Sequence, residues 1–260
     1  MSLPRVAFFD TKPYDREYFD LLNNSRVDLA YFRFSLNAKV ASLVEGAFAV
    51  CAFVHDLLDE ECLRTLKERG VKMVAMRCAG FNAVDLDAAR RLGITVTRVP
   101  AYSPNAVAEH AVALLLTLVR RTHRAYNRIR DHNFSLNGFV GFDLAGKTAG
   151  IIGCGKIGQK AAQILRGFEM RVLAYDPMAD AAWAKAHGVE LVDLETLWAE
   201  SDVISLHVPL LPETEYIVRA ETIERMKPGV ILINTSRGKL VNTEDLIAGM
   251  RSGRIGGVGL

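Results

Sequence analysis

Three glycines in the stretch GCGKIG have a spacing that suits the binding of a dinucleotide. They are Gly153, Gly155 and Gly158, in the pattern G-x-G-x-x-G. The first glycine permits a tight turn, the second lets a pyrophosphate approach the backbone, and the third lets the following helix pack against the strand. The N-terminus of that helix then attracts the pyrophosphate with its free N–H groups. We therefore expect a cofactor-binding loop here that also includes Lys156 and Ile157.

A single acidic residue discriminates between the two common dinucleotides. Asp176 ends the next predicted strand, 18 residues after Gly158, where a carboxylate accepts hydrogen bonds from ribose hydroxyls and repels a 2′-phosphate. Residues 177–179 include no arginine that could receive such a phosphate. The sequence therefore predicts NAD as the cofactor. The alternative is a glycine-rich turn without a ligand, which the strand before the motif and the helix after it disfavour.

An arginine after an apolar run is a candidate site for binding an anion. Residues 230–233 predict a buried strand, and the chain continues as NTSRG with Arg237 in fourth place. A permanent cation near a buried strand requires an anion nearby, because the loss of its hydration costs free energy. That anion is either a neighbouring Asp or Glu side chain or a ligand. Ligands of open α/β sheets bind beyond the carboxyl ends of the strands, so the position favours a ligand.

The elements that must position these residues alternate between apolar runs of strand length and helical patterns. Such alternation indicates βαβ units and parallel sheets. The two series meet at VPAYSPN, where Pro100 and Pro104 stop a strand and Ser103 is suited to cap a helix. The predicted strands are 6–9, 27–32, 47–53, 71–76, 94–98, 148–152, 171–175, 190–192, 203–208, 230–234 and 255–260. The predicted helices are 14–22, 36–44, 60–69, 85–92, 104–119, 157–167, 179–187, 194–199, 220–226 and 243–251.

The composition excludes several classes of protein. A net charge of +2 over 260 residues gives no field for binding nucleic acid. The apolar stretch 111–116 is far shorter than the ~20 residues that a membrane span needs, and the N-terminus lacks the apolar run of a signal peptide. The four cysteines form no CxxC pair, which argues against a zinc site and fits a reducing compartment. We expect a cytoplasmic protein with no metal, membrane or nucleic-acid partner.

Three further stretches resemble the D-2-hydroxyacid dehydrogenase family, and within it the fermentative D-lactate dehydrogenases. They are RCAGFNAVD (77–85), VPAYSPNAVAEHA (99–111) and NTSRG (234–238), and the resemblance covers essentially the whole chain. It implies an α/β fold in which residues 1–100 form a flavodoxin-like substrate domain. Residues 101–260 would form a Rossmann NAD-binding domain, incomplete at its C-terminus. The implied activity is NADH-dependent reduction of pyruvate to D-lactate.

The resemblance also assigns the contacts of a 2-oxo acid substrate. Arg237 would bind the carboxylate and polarise the carbonyl, which suits the planar guanidinium of arginine. The backbone amides of Cys78, Ala79 and Gly80 would hold the same carboxylate. Tyr102 would contact the substrate, or else pack as an aromatic residue of its loop.

The segment HVPL matches a stretch that lines the cofactor in this family. We expect His207, Val208 and Pro209 to lie at the cofactor, together with Thr235. His207 is not expected to be the general acid, because the acid of the family lies later in the chain. His110 is expected to be a core histidine with a hydrogen-bond partner.

Two catalytic residues that the resemblance implies are not found up to Leu260. The glutamate would follow within a few residues and the histidine, which protonates the carbonyl oxygen, tens of residues later. We therefore expect that the sequence is cut within its last strand and that residues 1–260 alone would not reduce pyruvate at a useful rate. For the basic run 120–130, three roles are possible: a solvated helix face, an oligomer contact or a position near the cofactor phosphates. We expect the protein to form a homo-oligomer.

Two alternative functions remain open at this point. The first is reduction of another 2-oxo acid, such as glyoxylate, hydroxypyruvate or one with a bulkier side chain. The second is a non-catalytic NAD-sensing protein, similar to the transcriptional corepressors that share this fold, which would bind a protein partner. The stretch RCAGFN favours an enzyme.

Overall fold

The chain folds into two α/β units. A computed structural model describes residues 3–260; the first unit ends at Tyr102 and the second comprises Ser103–Leu260. Each unit contains one sheet whose neighbouring strands are all parallel. The prediction of an α/β fold with parallel sheets is confirmed.

The first unit has the strand order β2-β1-β3-β4-β5, which is the flavodoxin-like order. Its main core lies between the sheet and helices α2 and α3 and includes Leu58, Leu63 and Val74. The elements are β1 (Arg5–Phe8), α1 (Pro13–Asn23), β2 (Asp28–Tyr31), β3 (Ala47–Ala52), α2 (Glu60–Glu68), β4 (Met73–Met76), α3 (Leu86–Arg91) and β5 (Thr95–Arg98).

The helix predicted for residues 36–44 is wrong, since this segment contains only a short 3₁₀ turn at Ala41–Leu43. The backbone N–H of Leu36 donates to Asp56 Oδ1 at 2.6 Å, and Asn37 Oδ1 accepts from the N–H of Lys39 at 3.0 Å. In a helix the carbonyl oxygen of Leu36 would accept the N–H of Val40, but here it accepts the N–H of Leu57 at 2.8 Å. The apolar residues that suggested a helix are still buried, because Leu36 and Val44 reach the core of the first unit from this irregular segment.

The second unit has the strand order β11-β10-β9-β6-β7-β8, which is the doubly wound Rossmann order. Strands β6, β9 and β10 are buried along their whole length, as expected for parallel strands covered on both faces. The elements are α4 (Pro104–Arg120), α5 (Thr122–Arg130), β6 (Thr148–Ile152), α6 (Lys156–Gly167), β7 (Arg171–Tyr175), α7 (Ala181–Ala186), β8 (Val189–Leu191), α8 (Leu194–Glu200), β9 (Val203–Leu206), α9 (Ala220–Arg225), β10 (Val230–Asn234), α10 (Thr243–Arg251) and β11 (Ile255–Gly259).

Helix α4 begins and ends at clear local signals. Ser103 Oγ accepts the N–H of Ala106 at 3.1 Å and caps its start, and Arg121, with a φ of +53°, separates it from α5. The expectation that His110 is a core histidine is wrong, because it lies on the exposed face of α4. The apolar residues Ala111 and Leu115 occupy the buried face.

None of the helices within residues 3–260 combines the length and the apolar character that crossing a membrane requires.

Candidate active site

The glycine loop between β6 and α6 has three glycines in three different environments. Gly153 has a φ of +95°, and a Cβ atom there would lie 2.7 Å from the carbonyl oxygen of His207. A Cβ atom on Gly158 would lie 1.9 Å from the carbonyl oxygen of Gly153, so α6 packs directly on the loop. A Cβ atom on Gly155 would have no heavy atom of the described residues within 4 Å. The open space beside Gly155 is where a pyrophosphate approaches the backbone in a dinucleotide fold.

The N-terminus of α6 is suited to an anion. Gly155 occupies the N-cap position, so in the described structure no side chain caps the first turn, and that turn contains no acidic residue. The first N–H groups of a helix lack partners within the helix and lie at its positive end. A phosphate group at this position would satisfy them, and Lys156 in the first turn adds a positive charge.

Asp176 lies directly after β7 and connects the strand end to the glycine loop. Its Oδ2 accepts the N–H of Cys154 at 2.8 Å, and its Oδ1 accepts the N–H of Met178 at 2.8 Å. A carboxylate oxygen has two lone pairs, so both oxygens retain capacity for the hydroxyl groups of a ribose. The geometry fits a dinucleotide that carries a free 2′-hydroxyl.

Two buried polar atoms after β9 and β10 lack partners in the part of the chain that the structure describes. They are Nδ1 of His207 and Oγ1 of Thr235. The other ring nitrogen of His207, Nε2, lies 2.9 Å from Ser205 Oγ, and burial lowers the pKa of the imidazole to about 4. Buried polar groups are nearly always hydrogen-bonded in native proteins, so both orphaned atoms suggest a ligand at this edge of the sheet. Pro209 follows His207 in the same segment, and Val208 packs beside Gly153.

Arg237 lies in the turn after β10 with its guanidinium exposed. Its Nη1 donates to the carbonyl oxygen of Ser236 at 2.9 Å, and no carboxylate among residues 3–260 forms an ion pair with it. The turn is fixed by Asn234, whose Nδ2 donates to the carbonyl oxygen of Arg237 at 2.9 Å. The alternative that a neighbouring Asp or Glu side chain forms an ion pair with Arg237 is therefore not observed in the described structure.

In the stretch after β4 of the first unit, the carbonyl oxygens of residues 78–80 all accept hydrogen bonds. The oxygen of Cys78 accepts the N–H of Val99 at 3.2 Å, and that of Ala79 accepts from Arg98 Nη1 at 3.0 Å. The oxygen of Gly80 accepts from Cys78 Sγ at 3.2 Å. Across the described residues, the backbone N–H groups of Ala79 and Gly80 donate to no protein acceptor. These two N–H groups are therefore available for an anionic ligand.

The candidate residues lie at equivalent edges of the two sheets. In the second unit, the glycine loop, Asp176, His207 and Arg237 follow the carboxyl ends of β6, β7, β9 and β10. In the first unit, residues 78–80 follow β4, while Tyr102 lies past β5 and is 68% exposed. No group of three or more His, Cys, Asp or Glu side chains within the described range is arranged to hold a metal ion.

Sequence reasoning did not identify four residues that shape the candidate sites of the two units. Ser205 contacts the ring of His207, Asn234 and Ser236 fold the turn that carries Arg237, and Arg98 contacts the loop after β4. The Asn-Thr-Ser sequence is a turn signal that could have predicted the second pair. The contact of Ser205 with His207, two residues later, follows the side-chain alternation of a strand and could also have been predicted. The contact of Arg98 depends on how two neighbouring strands pair, which no local signal records.

A comparison with protein-family models identifies the family to which most of the second unit belongs. The family model described as "D-isomer specific 2-hydroxyacid dehydrogenase, NAD binding domain" matches residues 112–260. The chain belongs to this family. The resemblance inferred from the sequence is confirmed, and so is NAD as the cofactor of this dehydrogenase.

Individual relatives of this dehydrogenase cover nearly its whole length. It is 51% identical to the D-lactate dehydrogenase of Escherichia coli over 257 residues, which are 98% of this chain and 78% of the relative. A 2-hydroxyacid dehydrogenase homolog of Haemophilus influenzae is 48% identical over 98% of this chain and 77% of its own length.

Solved structures of related dehydrogenases share the fold. The apo-structure of D-lactate dehydrogenase from Escherichia coli matches with a TM-score of 0.91 and 50% identity, covering 98% of this chain and 80% of that chain. The D-lactate dehydrogenase from Aquifex aeolicus, complexed with NAD and lactic acid, matches with a TM-score of 0.87 and 37% identity over 98% of this chain and 76% of that chain. This protein is an NAD-dependent oxidoreductase of the same fold.

Proposed function

We propose that this dehydrogenase reduces pyruvate to D-lactate with NADH. Its similarity to D-lactate dehydrogenases over nearly the whole chain supports this activity. The structural observation that carries the proposal is Arg237, an exposed guanidinium just past β10 that has no carboxylate partner among residues 3–260. A small 2-oxo acid has the planar carboxylate that such a group binds through two parallel hydrogen bonds.

The substrate roles follow from the exposed donors. Arg237 binds the substrate carboxylate and polarises its carbonyl, and the free N–H groups of Ala79 and Gly80, together with Cys78, hold the carboxylate. Tyr102, exposed after β5, contacts the substrate. In this proposal, residues 1–100 are the substrate domain and residues 101–260 the NAD-binding domain.

The cofactor roles follow from the glycine loop and its surroundings. Residues 153–158, which include Lys156 and Ile157, hold the pyrophosphate, and Asp176 accepts the ribose hydroxyls. Thr235 and residues 207–209 line the rest of the site, where the orphaned atoms of His207 and Thr235 find partners. When bound, the nicotinamide supplies the hydride that reduces the substrate carbonyl.

His207 is unsuited to protonate the substrate. Burial lowers its pKa to about 4, so the imidazole is neutral near pH 7 and holds no proton that it readily donates. A general acid works best with a pKa close to the operating pH. This supports the family resemblance, which implies a different proton donor.

We further propose that the protein forms a homo-oligomer through the segment 131–143. This segment exposes Phe134 by 73%, Leu136 by 83% and Val140 by 83%. Arg128 holds it in place by donating to the carbonyl oxygens of Ser135 at 2.9 Å and Asn137 at 2.7 Å. An ordered segment with large exposed apolar side chains is typical of a protein interface. Replacing Leu136 and Val140 with Asp should lower the molecular mass measured by sedimentation, whereas an unchanged mass would contradict this interface.

We place the protein in the cytoplasm. The thiols of Cys51, Cys62 and Cys154 are free and buried, and a reducing compartment maintains cysteines in this state. Fractionation of source cells, followed by immunodetection, tests this location.

The experiment that tests the activity is steady-state turnover of NADH by the full-length protein with a series of 2-oxo acids. We expect the highest kcat/KM with pyruvate and formation of the D isomer of lactate. A higher kcat/KM with glyoxylate, hydroxypyruvate or a bulkier 2-oxo acid would assign a different substrate. NADH binding without turnover of any 2-oxo acid would instead favour an NAD-sensing binding protein.

A further inference from the structure

We infer that Arg98 is a positioning residue that orients the N–H of Gly80 toward the substrate carboxylate. This inference rests on the proposed function, because the carboxylate of a 2-oxo acid is the ligand that Gly80 would bind. Arg98 is the last residue of β5 and pairs in register with Met76 of β4. It therefore lies beside the loop that leaves β4.

The geometry of the peptide bond connects Arg98 to Gly80. In a planar trans peptide, the carbonyl of one residue and the N–H of the next point in opposite directions. Arg98 Nη1 donates to the carbonyl oxygen of Ala79 at 3.0 Å, so the N–H of Gly80 points away from the guanidinium. That N–H donates to no acceptor in the described part of the chain.

A second contact holds the guanidinium in place. Its central carbon lies 5.4 Å from the centre of the Phe81 ring, within the range of a cation–π interaction. Arg98 thus contacts the chain on both sides of Gly80, through the carbonyl of Ala79 and the ring of Phe81. Without these contacts, the peptide between Ala79 and Gly80 could rotate and offer its carbonyl oxygen to the substrate, which would repel a carboxylate.

Arg98 has no role in the core that would explain these contacts. Its side chain is exposed, and Phe81 is 42% exposed, so replacing either residue removes little buried surface. Within residues 3–260, Arg98 forms no ion pair with a carboxylate. The substitution Arg98→Met should therefore leave the fold intact while it removes the donor and retains the apolar stem.

The test compares the full-length protein with the variants Arg98→Met and Phe81→Leu. Arg98→Met should raise the KM for pyruvate about tenfold, equivalent to ~1.4 kcal/mol, because it removes a hydrogen bond that a charged group donates to the loop. The Kd of oxamate, a pyruvate analogue that is not reduced, should rise by a similar factor in the presence of NADH. The Kd of NADH and the melting temperature should stay unchanged. Phe81→Leu should raise the same KM by a smaller factor without any change of charge.

Two controls separate positioning from simple attraction of the anion. Arg90→Met removes an exposed arginine of α3 in the same unit and should leave the KM unchanged. At about 0.5 M NaCl the Debye length falls to ~4 Å, which screens attraction over longer distances. The tenfold effect of Arg98→Met should persist at this salt concentration.

Three outcomes would overturn the inference. Arg98→Met could leave the KM and the oxamate Kd within twofold of wild type while the wild type reduces pyruvate. Alternatively, its defect could disappear at high salt while Phe81→Leu has no effect, which would indicate long-range attraction. A wild-type protein that neither reduces any 2-oxo acid nor binds oxamate would contradict the proposed function itself, and the inference with it.

Discussion

Asp176 Oδ2 accepts the backbone N–H of Cys154 at 2.8 Å, so the carboxylate that follows β7 also holds the middle of the glycine loop. The same carboxylate accepts the N–H of Met178 through Oδ1. One side chain therefore connects two parts of the cofactor site, the loop for the pyrophosphate and the position for the ribose. A substitution at Asp176 should affect both cofactor selectivity and loop geometry, and the two effects are separable.

The variants Asp176→Asn and Asp176→Ala should separate charge from hydrogen bonding. Both remove the negative charge that repels a 2′-phosphate, so the ratio of kcat/KM for NADPH over NADH should rise by about tenfold or more, equivalent to ~1.4 kcal/mol. Asparagine retains an acceptor for the N–H of Cys154, so the KM for NADH should rise less than in the alanine variant. Glu224→Gln removes an exposed carboxylate from α9 and serves as the control. An unchanged ratio in both Asp176 variants would assign the specificity to other residues.

Gly155 and Gly158 form a matched pair for distinguishing cofactor binding from folding. A Cβ atom on Gly155 enters open space, whereas one on Gly158 meets the carbonyl oxygen of Gly153 at 1.9 Å. Gly155→Ala should therefore change the free energy of unfolding by less than about 0.5 kcal/mol yet weaken NADH binding. Gly158→Ala should destabilise the protein by roughly 1–3 kcal/mol, because the backbone must shift to accommodate the methyl group.

Urea unfolding and fluorescence titration with NADH measure the two effects in the same samples. Wild-type stability in Gly158→Ala would contradict the close packing of α6 on the loop. Wild-type NADH affinity in Gly155→Ala would contradict the placement of the pyrophosphate beside Gly155.

Much of the fold could be predicted because the buried strands have distinctive sequences. Strands β6, β7 and β10 begin and end at the predicted residues, since the interior of a parallel strand covered on both faces lacks charged and polar residues. The glycine pattern and Asp176 could be placed for the same reason, because each directly follows such a strand. Local sequence suffices where burial and the chain direction together determine the position of a residue.

The parts that were not predicted depend on contacts between distant residues. Residues 36–44 have a helical spacing of apolar residues, yet the backbone of Leu36 pairs with distant residues. Its N–H donates to Asp56, 20 positions away, and its carbonyl oxygen, which a helix would need, accepts the N–H of Leu57. The exposure of His110 depends on which face of α4 packs against the sheet. The contact of Arg98 with Ala79 depends on the register of two strands. Propensity and spacing describe none of these relationships.

Arg237→Lys should separate substrate binding from cofactor binding. Lysine retains the charge but lacks the planar fork that binds a carboxylate through two hydrogen bonds. We expect kcat/KM for pyruvate to fall at least about tenfold, equivalent to ~1.4 kcal/mol, while the Kd of NADH stays unchanged. Arg251→Lys changes an exposed arginine at the end of α10 and should have no effect on either quantity. A smaller fall in kcat/KM for Arg237→Lys would contradict its assigned role.

His207 should make the protein less stable in acid. Its pKa is about 4 in the folded protein, because burial disfavours the charged imidazole, against 6.5 in the unfolded chain. At pH 7 the imidazole is largely neutral in both states and the histidine contributes little. As the pH falls below 6.5 the unfolded state takes up a proton that the folded state does not, so stability decreases until the pH approaches 4.

His207→Gln should remove this part of the acid sensitivity. Glutamine does not titrate, and its side-chain amide can retain the contact with Ser205. From pH 7 to pH 4.5 the free energy of unfolding should fall by about 2–3 kcal/mol less in the variant than in the wild type. Urea unfolding at both pH values measures the difference, and the carboxylates and the other histidines cancel because the two proteins share them. Equal losses in both proteins would mean that the imidazole titrates with an ordinary pKa in the folded state, and the argument that His207 is neutral and unsuited to act as the general acid would then fail.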